Sequence, residues 1–307
     1  MENLEISKLF SVKGLVAVIT GGGSGLGLGR MMAYALAING ASKVFIIGRR
    51  EERLLETAAS AIGGSIIPIV GDVTSRESLQ AAYGSIASQT DHVDLLVANS
   101  GTLGRSYKSP EPRPDGSLPC FSEFRDHLWS IPMEEFTNVS HVNVTGAFYT
   151  ILAFLPMLKA ANRKRTATEQ RTVSPPRSQI IITSSILGFS RFAPATENIA
   201  YHLSKAAVNH MVKLLATNLV QDDIRVNGIA PGVYYTDMAL PFYESQGVQG
   251  KGIVDGSFSW DLIPITRGGG EGMAGVILYM AGATGGYLNG SIIVSDGGSL
   301  CIFPSTY

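Results

Sequence analysis

The sequence predicts an α/β fold: one domain holding a seven-stranded parallel sheet with helices on both faces. Three observations predict it. Short apolar runs without polar alternation recur along the chain, as in strands buried on both sides. Helix-length segments separate them, which is the βαβ arrangement. With 307 residues, 45% hydrophobic and 16% charged, the chain is long enough for one large core or two small ones, and the strand-helix alternation favours one.

The elements follow in order. Residues 15–20 form the first strand, ended by glycines, and 25–39 the first long helix, with Gly40 as C-cap. Residues 44–47 are the second strand and 51–62 the second helix. Residues 65–70 make a third strand despite Pro68, followed by a helix over 75–88 and a fourth strand over 93–98. The alternation then breaks. Residues 102–131 hold Pro110, Pro112, Pro114 and Pro119 and read as an irregular insertion. Helical texture returns over 133–161. The basic, polar stretch 162–177 reads as a solvated excursion, with an acidic or phosphorylated partner as the sharper alternative. A fifth strand spans 179–183, a long helix 201–220 and a sixth strand 224–229. Residues 238–262 read as irregular, 271–281 as a short helix and 291–294 as the seventh strand.

Bulk properties exclude several classes. A net charge of −1 gives no overall field for nucleic acid or an acidic membrane. Cys120 and Cys301 make no disulfide framework, so a reducing, cytoplasmic setting is expected. No uncharged apolar run reaches membrane-spanning length, and residues 1–13 do not resemble a signal peptide. No metal site is expected.

The first strand delivers the chain to Thr20-Gly21-Gly22-Gly23-Ser24-Gly25-Leu26-Gly27, at the start of a helix. Glycines there let backbone N–H groups approach a pyrophosphate, and the helix N-terminus favours negative charge. The second strand ends in Gly48-Arg49-Arg50, where an acidic residue would pair with a ribose 2′-hydroxyl. Arginine forks onto phosphate instead, so Arg49 favours NADP(H) over NAD(H), although Arg50 can equally be a surface residue. In Gly71-Asp72-Val73-Thr74, Asp72 is placed to accept from the adenine amine, to cap the next helix with Thr74 or Ser75, or to do both. Asn99, in Ala98-Asn99-Ser100-Gly101, ends the fourth strand on the cofactor side.

These motifs, with Asn143, Ser185, Tyr201-x-x-x-Lys205, Pro231-Gly232 and Asp296-Gly297-Gly298, resemble the short-chain dehydrogenase/reductases, most of all fungal members. They stand in that family's order across nearly the whole chain. The resemblance implies a single doubly wound Rossmann-type domain, a nicotinamide cofactor, carbonyl or alcohol chemistry, and a homodimer or homotetramer built on the helices of Asn143 and Tyr201. It implies that Tyr201 exchanges the proton, Ser185 bonds the same oxygen, Lys205 holds the nicotinamide ribose, and Asn143 organises a relay water. Ser185 is chosen over Ser184 because the family serine stands three residues before a glycine, here Gly188. The cofactor set becomes Gly21, Ser24, Gly25, Leu26, Gly27, Arg49, Asp72, Val73, Asn99, Gly101, Tyr201, Lys205, Pro231, Gly232, Val233 and Thr236.

Residue physics stands beside the resemblance. Lys205 lies one helical turn from Tyr201, and its ammonium together with the nicotinamide charge is expected to favour the phenolate, moving the phenol toward useful pH. His202 and His141 adjoin these positions but read as structural. Departures from the family pattern are Ala98, Ser100, the long 102–131 segment and the generous Ser185–Tyr201 spacing. The insertion is either a lid or a peripheral arm. Phe189, Arg191, Phe192, Phe242, Tyr243, Phe258 and Trp260 are candidate substrate contacts, in part within a variable stretch over 233–267. The expectation is an NADP(H)-dependent oxidoreductase interconverting a ketone and a secondary alcohol. A redox-neutral epimerase, dehydratase or cyclase and a non-catalytic cofactor sensor are the alternatives.

Overall fold

A computed structural model describes residues 4–23, 25–61, 64–105, 117, 120–166, 176–191, 198–245, 263 and 270–307. After a short helix α1 (Ile6–Leu9), the chain runs β1 (Val16–Thr20), α2 (Leu28–Ile38), β2 (Lys43–Gly48), α3 (Glu51–Ala59), β3 (Ile66–Val70), α4 (Arg76–Ala87) and β4 (Leu95–Ala98). It continues through α5 (Phe121–Trp129), α6 (Met133–Ser140), α7 (Ala147–Thr166), β5 (Gln179–Thr183), α8 (Ile199–Asn218) and β6 (Arg225–Pro231). The last elements are α9 (Leu240–Ser245), α10 (Gly270–Ala281), β7 (Ile292–Ser295) and α11 (Ser299–Ile302).

All seven strands join one sheet in the order β3-β2-β1-β4-β5-β6-β7, and every pairing is parallel. Pro68 is tolerated because β3 is an edge strand, where a missing N–H breaks no inner ladder. The order reverses between β1 and β4, which opens a crevice at the strand carboxyl ends.

The central strands read as unbroken apolar runs because successive side chains enter opposite layers. Val18, Phe45, Leu96 and Ile180 face α7 and α8, meeting Ile151, Phe154, Leu158, Val208 and Val212. Ala17, Ile19, Ile46 and Val97 face α2 and α10, meeting Met32, Leu36, Met273 and Ile277. Burying each large aliphatic or aromatic side chain contributes about 1.5–3 kcal/mol, so both helical layers hold the sheet.

Several boundaries differ from expectation. The first long helix starts at Leu28 rather than at position 25, because residues 25–27 remain in the turn. Helical structure forms in two stretches expected to be irregular, at α5 and α9. The helix expected over 133–161 contains a π-helical segment, His141–Gly146, and runs on through the first basic residues to Thr166. The stretch Met133–Lys164 is long and apolar enough to cross a membrane by length and composition alone. Its inward residues Ile151, Phe154 and Leu158 are fully buried against the sheet, while Phe148, Tyr149 and Leu152 face outward. Ser24, Phe192, Phe258, Trp260, the four insertion prolines, and most of 246–269 lie outside the described residues.

Candidate active site and cofactor cleft

Strand β1 carries Thr20 to the crevice, and Asn99 braces it there. Thr20 Oγ1 accepts from the N–H groups of Asn99 and Ser100, both at 3.0 Å. Asn99 Nδ2 donates to Thr20 O at 3.0 Å, and Thr183 Oγ1 donates to Asn99 Oδ1 at 3.1 Å. One side chain thus ties the ends of β1, β4 and β5. The chain then turns at Gly21, whose φ of +74° suits glycine. A Cβ there would also lie 2.9 Å from Asn99 Nδ2.

The glycine turn fits an anionic group. Leu26 N–H already donates to a carboxylate oxygen, Asp237 Oδ1, at 3.3 Å. Gly27 caps α2 without any side-chain cap, so the helix start offers backbone donors. Arg30 Nη1 steadies the turn through Gly25 O at 3.0 Å. Gly25 and Leu26 lie beneath Asp237, whereas Gly21, Gly27 and Asp237 line a cavity of about 580 Å³.

Arg49, Arg50, Asp72 and Val73 line the far end of that cavity. Asp72 Oδ1 accepts from Thr74 N at 2.9 Å and Thr74 Oγ1 at 2.7 Å, a local turn. The cap of α4 is Ser75, whose side chain accepts from Ser78 N, so Asp72 is not the cap. Burial pushes the Asp72 carboxyl up, but the Thr74 bonds and the charges of Arg49 and His141 bring it below its ordinary value.

The expected catalytic group converges from three elements. Ser184 is committed to α8: its Oγ meets Asn209 Oδ1 at 2.5 Å and Lys205 O at 3.2 Å. Ser185, the next residue, stands near enough to the Tyr201 hydroxyl to lower its proton affinity, and accepts from Leu187 N at 3.2 Å. Gly188 permits this approach, since a Cβ there would lie 2.7 Å from the Lys205 carbonyl carbon. Lys205 Nζ donates to Thr183 O at 2.8 Å and sits 5.5 Å from the centre of the Tyr201 ring. Asn143 stands in the π-helical segment, where a widened turn redirects a side chain. It lies behind the cavity wall: Nδ2 donates to Thr102 O at 2.9 Å and Ser204 Oγ at 3.0 Å, and Oδ1 accepts from Thr102 N at 2.8 Å.

In the protein alone, burial sets the proton affinities of this group. Burial pushes the Tyr201 phenol up to about 12, with nearby Ser185 opposing. Burial pulls Lys205 down to about 8. The ammonium is bonded to Thr183 O rather than to the phenol, and desolvation outweighs its attraction.

Pro231 at the end of β6 and Gly232, Val233 and Thr236 beyond it line the cavity, and Gly101 lines it just after β4. Sequence reasoning missed Asn198, His202, Asp237, Ser299 and Phe303, which also line it. Tyr201, His202 and Lys205 lie within the first turns of α8, which Asn198 caps, a proximity that could have moved His202 out of the structural class. Asp237 and Phe303 arrive through long-range contacts that no local pattern announces. Of the other candidates, Phe242 lines the cavity, while Phe189 and Arg191 pair with the last residues. Arg191 N donates to Pro304 O at 2.7 Å, Thr306 N to Phe189 O at 2.9 Å, and the Phe189 and Tyr307 rings meet at 5.3 Å.

A family model described as short chain dehydrogenase matches residues 15–247. The chain is similar to the short-chain dehydrogenase/reductase PhomF of Diaporthe leptostromiformis, 41% identical over 307 residues, covering 99% of this chain and 98% of that protein. Among solved structures it is similar to the Pseudomonas aeruginosa RhlG/NADP active-site complex, with a TM-score of 0.72, 28% identity, and coverage of 95% and 98%. It shares its fold with a 7α-hydroxysteroid dehydrogenase complexed with NADH and 7-oxo glycochenodeoxycholic acid, at a TM-score of 0.73, 24% identity, and coverage of 96% and 98%.

Proposed function

This chain belongs to the short-chain dehydrogenase/reductase family of oxidoreductases, and we propose that it reduces a ketone to a secondary alcohol with NADPH. The observation that carries the reading is the contact of Ser185 with Tyr201 in the cavity wall, with Lys205 against the same ring. Nicotinamide, when bound, supplies the hydride. Tyr201 holds its proton tightly, near 12, and so enters the reaction as a neutral acid. The alkoxide formed by hydride arrival is a stronger base and takes that proton. Ser185 donates a second hydrogen bond to the same oxygen and stabilises its developing charge. Lys205 holds the ribose, and Asn143 anchors the wall behind it through Thr102 and Ser204.

The glycine turn would take the pyrophosphate in place of the Asp237 carboxylate. Arg49, exposed at the cavity rim, supports a 2′-phosphate and hence NADP(H) over NAD(H). Gly101, Asn99, Pro231, Gly232, Val233 and Thr236 would frame the nicotinamide end. The apolar wall, including Ile186, Leu187, Phe242 and Ile263, supports an apolar substrate. We read the chain as one domain working as a homo-oligomer in the cytoplasm. The outward apolar residues Phe148, Leu152 and Leu214 on α7 and α8 suit a self-contact, and the free thiols Cys120 and Cys301 suit a reducing setting.

The test is Tyr201→Phe, assayed for NADPH oxidation with a ketone panel and for NADPH binding. Turnover is expected to vanish while binding persists. Unchanged turnover would sink the mechanism.

A further inference from the structure

Residues 303–307 take no part in the proposed chemistry, yet they meet its site. Phe303 lines the cavity, as do Leu187 and Ser190 from the loop that follows Ser185. Its position is set from behind. Asp296, just past β7, holds the start of α11: Oδ1 accepts from Gly298 N at 2.9 Å and Oδ2 from Leu300 N at 2.8 Å. Ser299 and Leu300 are buried, and Phe303 N donates to Ser299 O at 3.0 Å as the helix ends. The strand order puts β7 at the opposite edge of the sheet from β2 and β3. Phe303 therefore stands at the end of the cavity remote from Arg49 and Asp72, where a substrate rather than an adenosine would lie.

The segment beyond Phe303 clasps the Ser185 loop. Arg191 N donates to Pro304 O at 2.7 Å, and Phe189 O accepts from Thr306 N at 2.9 Å and Thr306 Oγ1 at 3.2 Å. Ser190 and Ser305 pair as an antiparallel bridge, and the rings of Phe189 and Tyr307 meet edge to face at 5.3 Å. The loop's own turn, Ile186–Gly188, is three residues long. So short a turn does not fix a loop by itself, because each ordered residue costs backbone entropy. The clasp supplies long-range bonds that fix the loop relative to Phe303.

We propose that residues 303–307 build one wall of the substrate site. Phe303 is a specificity-determining residue that packs on a flat ring of the substrate, and 304–307 position Leu187 and Ser190 beside it. Aromatic rings favour edge-to-face or offset contact with one another, and Phe242 brings a second ring to the same cavity. The substrate class narrows to aryl ketones. The proposal rests on the ketone-reductase reading above and deepens it.

The experiment compares 2-tetralone with cyclohexanone, which lacks the aromatic ring. NADPH oxidation gives kcat and KM for each, and calorimetry gives 2-tetralone binding to the NADPH-loaded protein. The parent is expected to favour 2-tetralone about tenfold or more in kcat/KM. Phe303→Ala should cut that ratio about tenfold, chiefly by raising KM for 2-tetralone, with NADPH binding unchanged. Phe303→Leu keeps an apolar side chain, should cut the ratio about threefold, and decides the matter if Phe303→Ala does not fold. Deleting residues 304–307 should lower the ratio as well. Reduction without preference for 2-tetralone, or a ratio unchanged in the Phe303 variants, would overturn the wall and leave the reductase reading standing. A deletion that slows both ketones alike would overturn the clasp. Binding of 2-tetralone without reduction of either ketone, weakened in Phe303→Ala, would uphold the wall and overturn the reductase reading. Neither binding nor reduction would overturn both.

Discussion

Lys205 is expected to weaken the fold that it equips. Burial lowers its proton affinity from 10.5 to about 8, so near pH 7 the folded protein holds an ammonium that would sit more comfortably in water. A tenfold change in proton affinity corresponds to about 1.4 kcal/mol, so the ionised form costs the native state about 3 kcal/mol. The sign follows from proton counts. Between about 8 and 10.5 the unfolded chain binds more protons than the folded one, so stability rises with pH across that window and levels off below it, where both states hold the proton. Tyr201 acts in the opposite sense at higher pH: raised from 10.0 to about 12, it withdraws stability as pH climbs through that range. Lys205→Met replaces the ammonium with an apolar chain of similar length and forfeits the bond to Thr183 O. Net, the variant is expected to gain about 1–3 kcal/mol at pH 7. The gain should shrink as pH approaches 9.5. Urea denaturation without cofactor, followed by circular dichroism at several pH values, measures it. A variant less stable than the parent by the same margin at pH 7 and pH 9.5 would refute the reasoning.

Three further outcomes are expected. Arg49→Glu should weaken NADPH binding about tenfold or more while changing NADH little, as read by nicotinamide fluorescence. Asp237→Asn removes the carboxylate that the glycine turn holds at Leu26 N–H, and should tighten cofactor binding about threefold in the same titration. Asn99→Ala removes the side-chain bonds to Thr20 O and Thr183 Oγ1, and should cost about 2 kcal/mol in denaturant unfolding together with weaker cofactor binding.

What was legible in the sequence depended on how local its cause was. The seven strands were readable because two-sided burial forces continuous apolar runs, and Pro68 did not disturb the reading because β3 sits at an edge. The placement of the glycine turn and of the Tyr201–Lys205 pair was readable because each depends on local spacing: a strand-turn-helix junction, and one helical turn. The π-helical segment was not: His141–Gly146 differs from α-helix by one widened turn, and nothing in its composition marks it. Helices α5 and α9 were hidden by flanking prolines and glycines. The proton affinities of Tyr201 and Lys205 in the protein alone were not legible, because they are set by burial, a property of the packed molecule that spacing does not show. Asp237 reaches Leu26 across 211 positions, a separation that no window of sequence covers.

The strand order also sets a timetable for synthesis. Strands β1 to β4, from residues 16–98, make a contiguous half of the sheet, with the phosphate turn, Arg49 and Asp72 already on it. Ser185, Tyr201 and Lys205 arrive only after β5, which begins at residue 179. A chain leaving the ribosome therefore owns its dinucleotide cradle before it owns any of those three residues. In the interval the apolar flank of β4, Leu95–Ala98, waits without its neighbour, and pairing across so long a loop is slow. That open edge invites other strands. How soon Gln179–Thr183 reaches β4 sets how long that edge stays open.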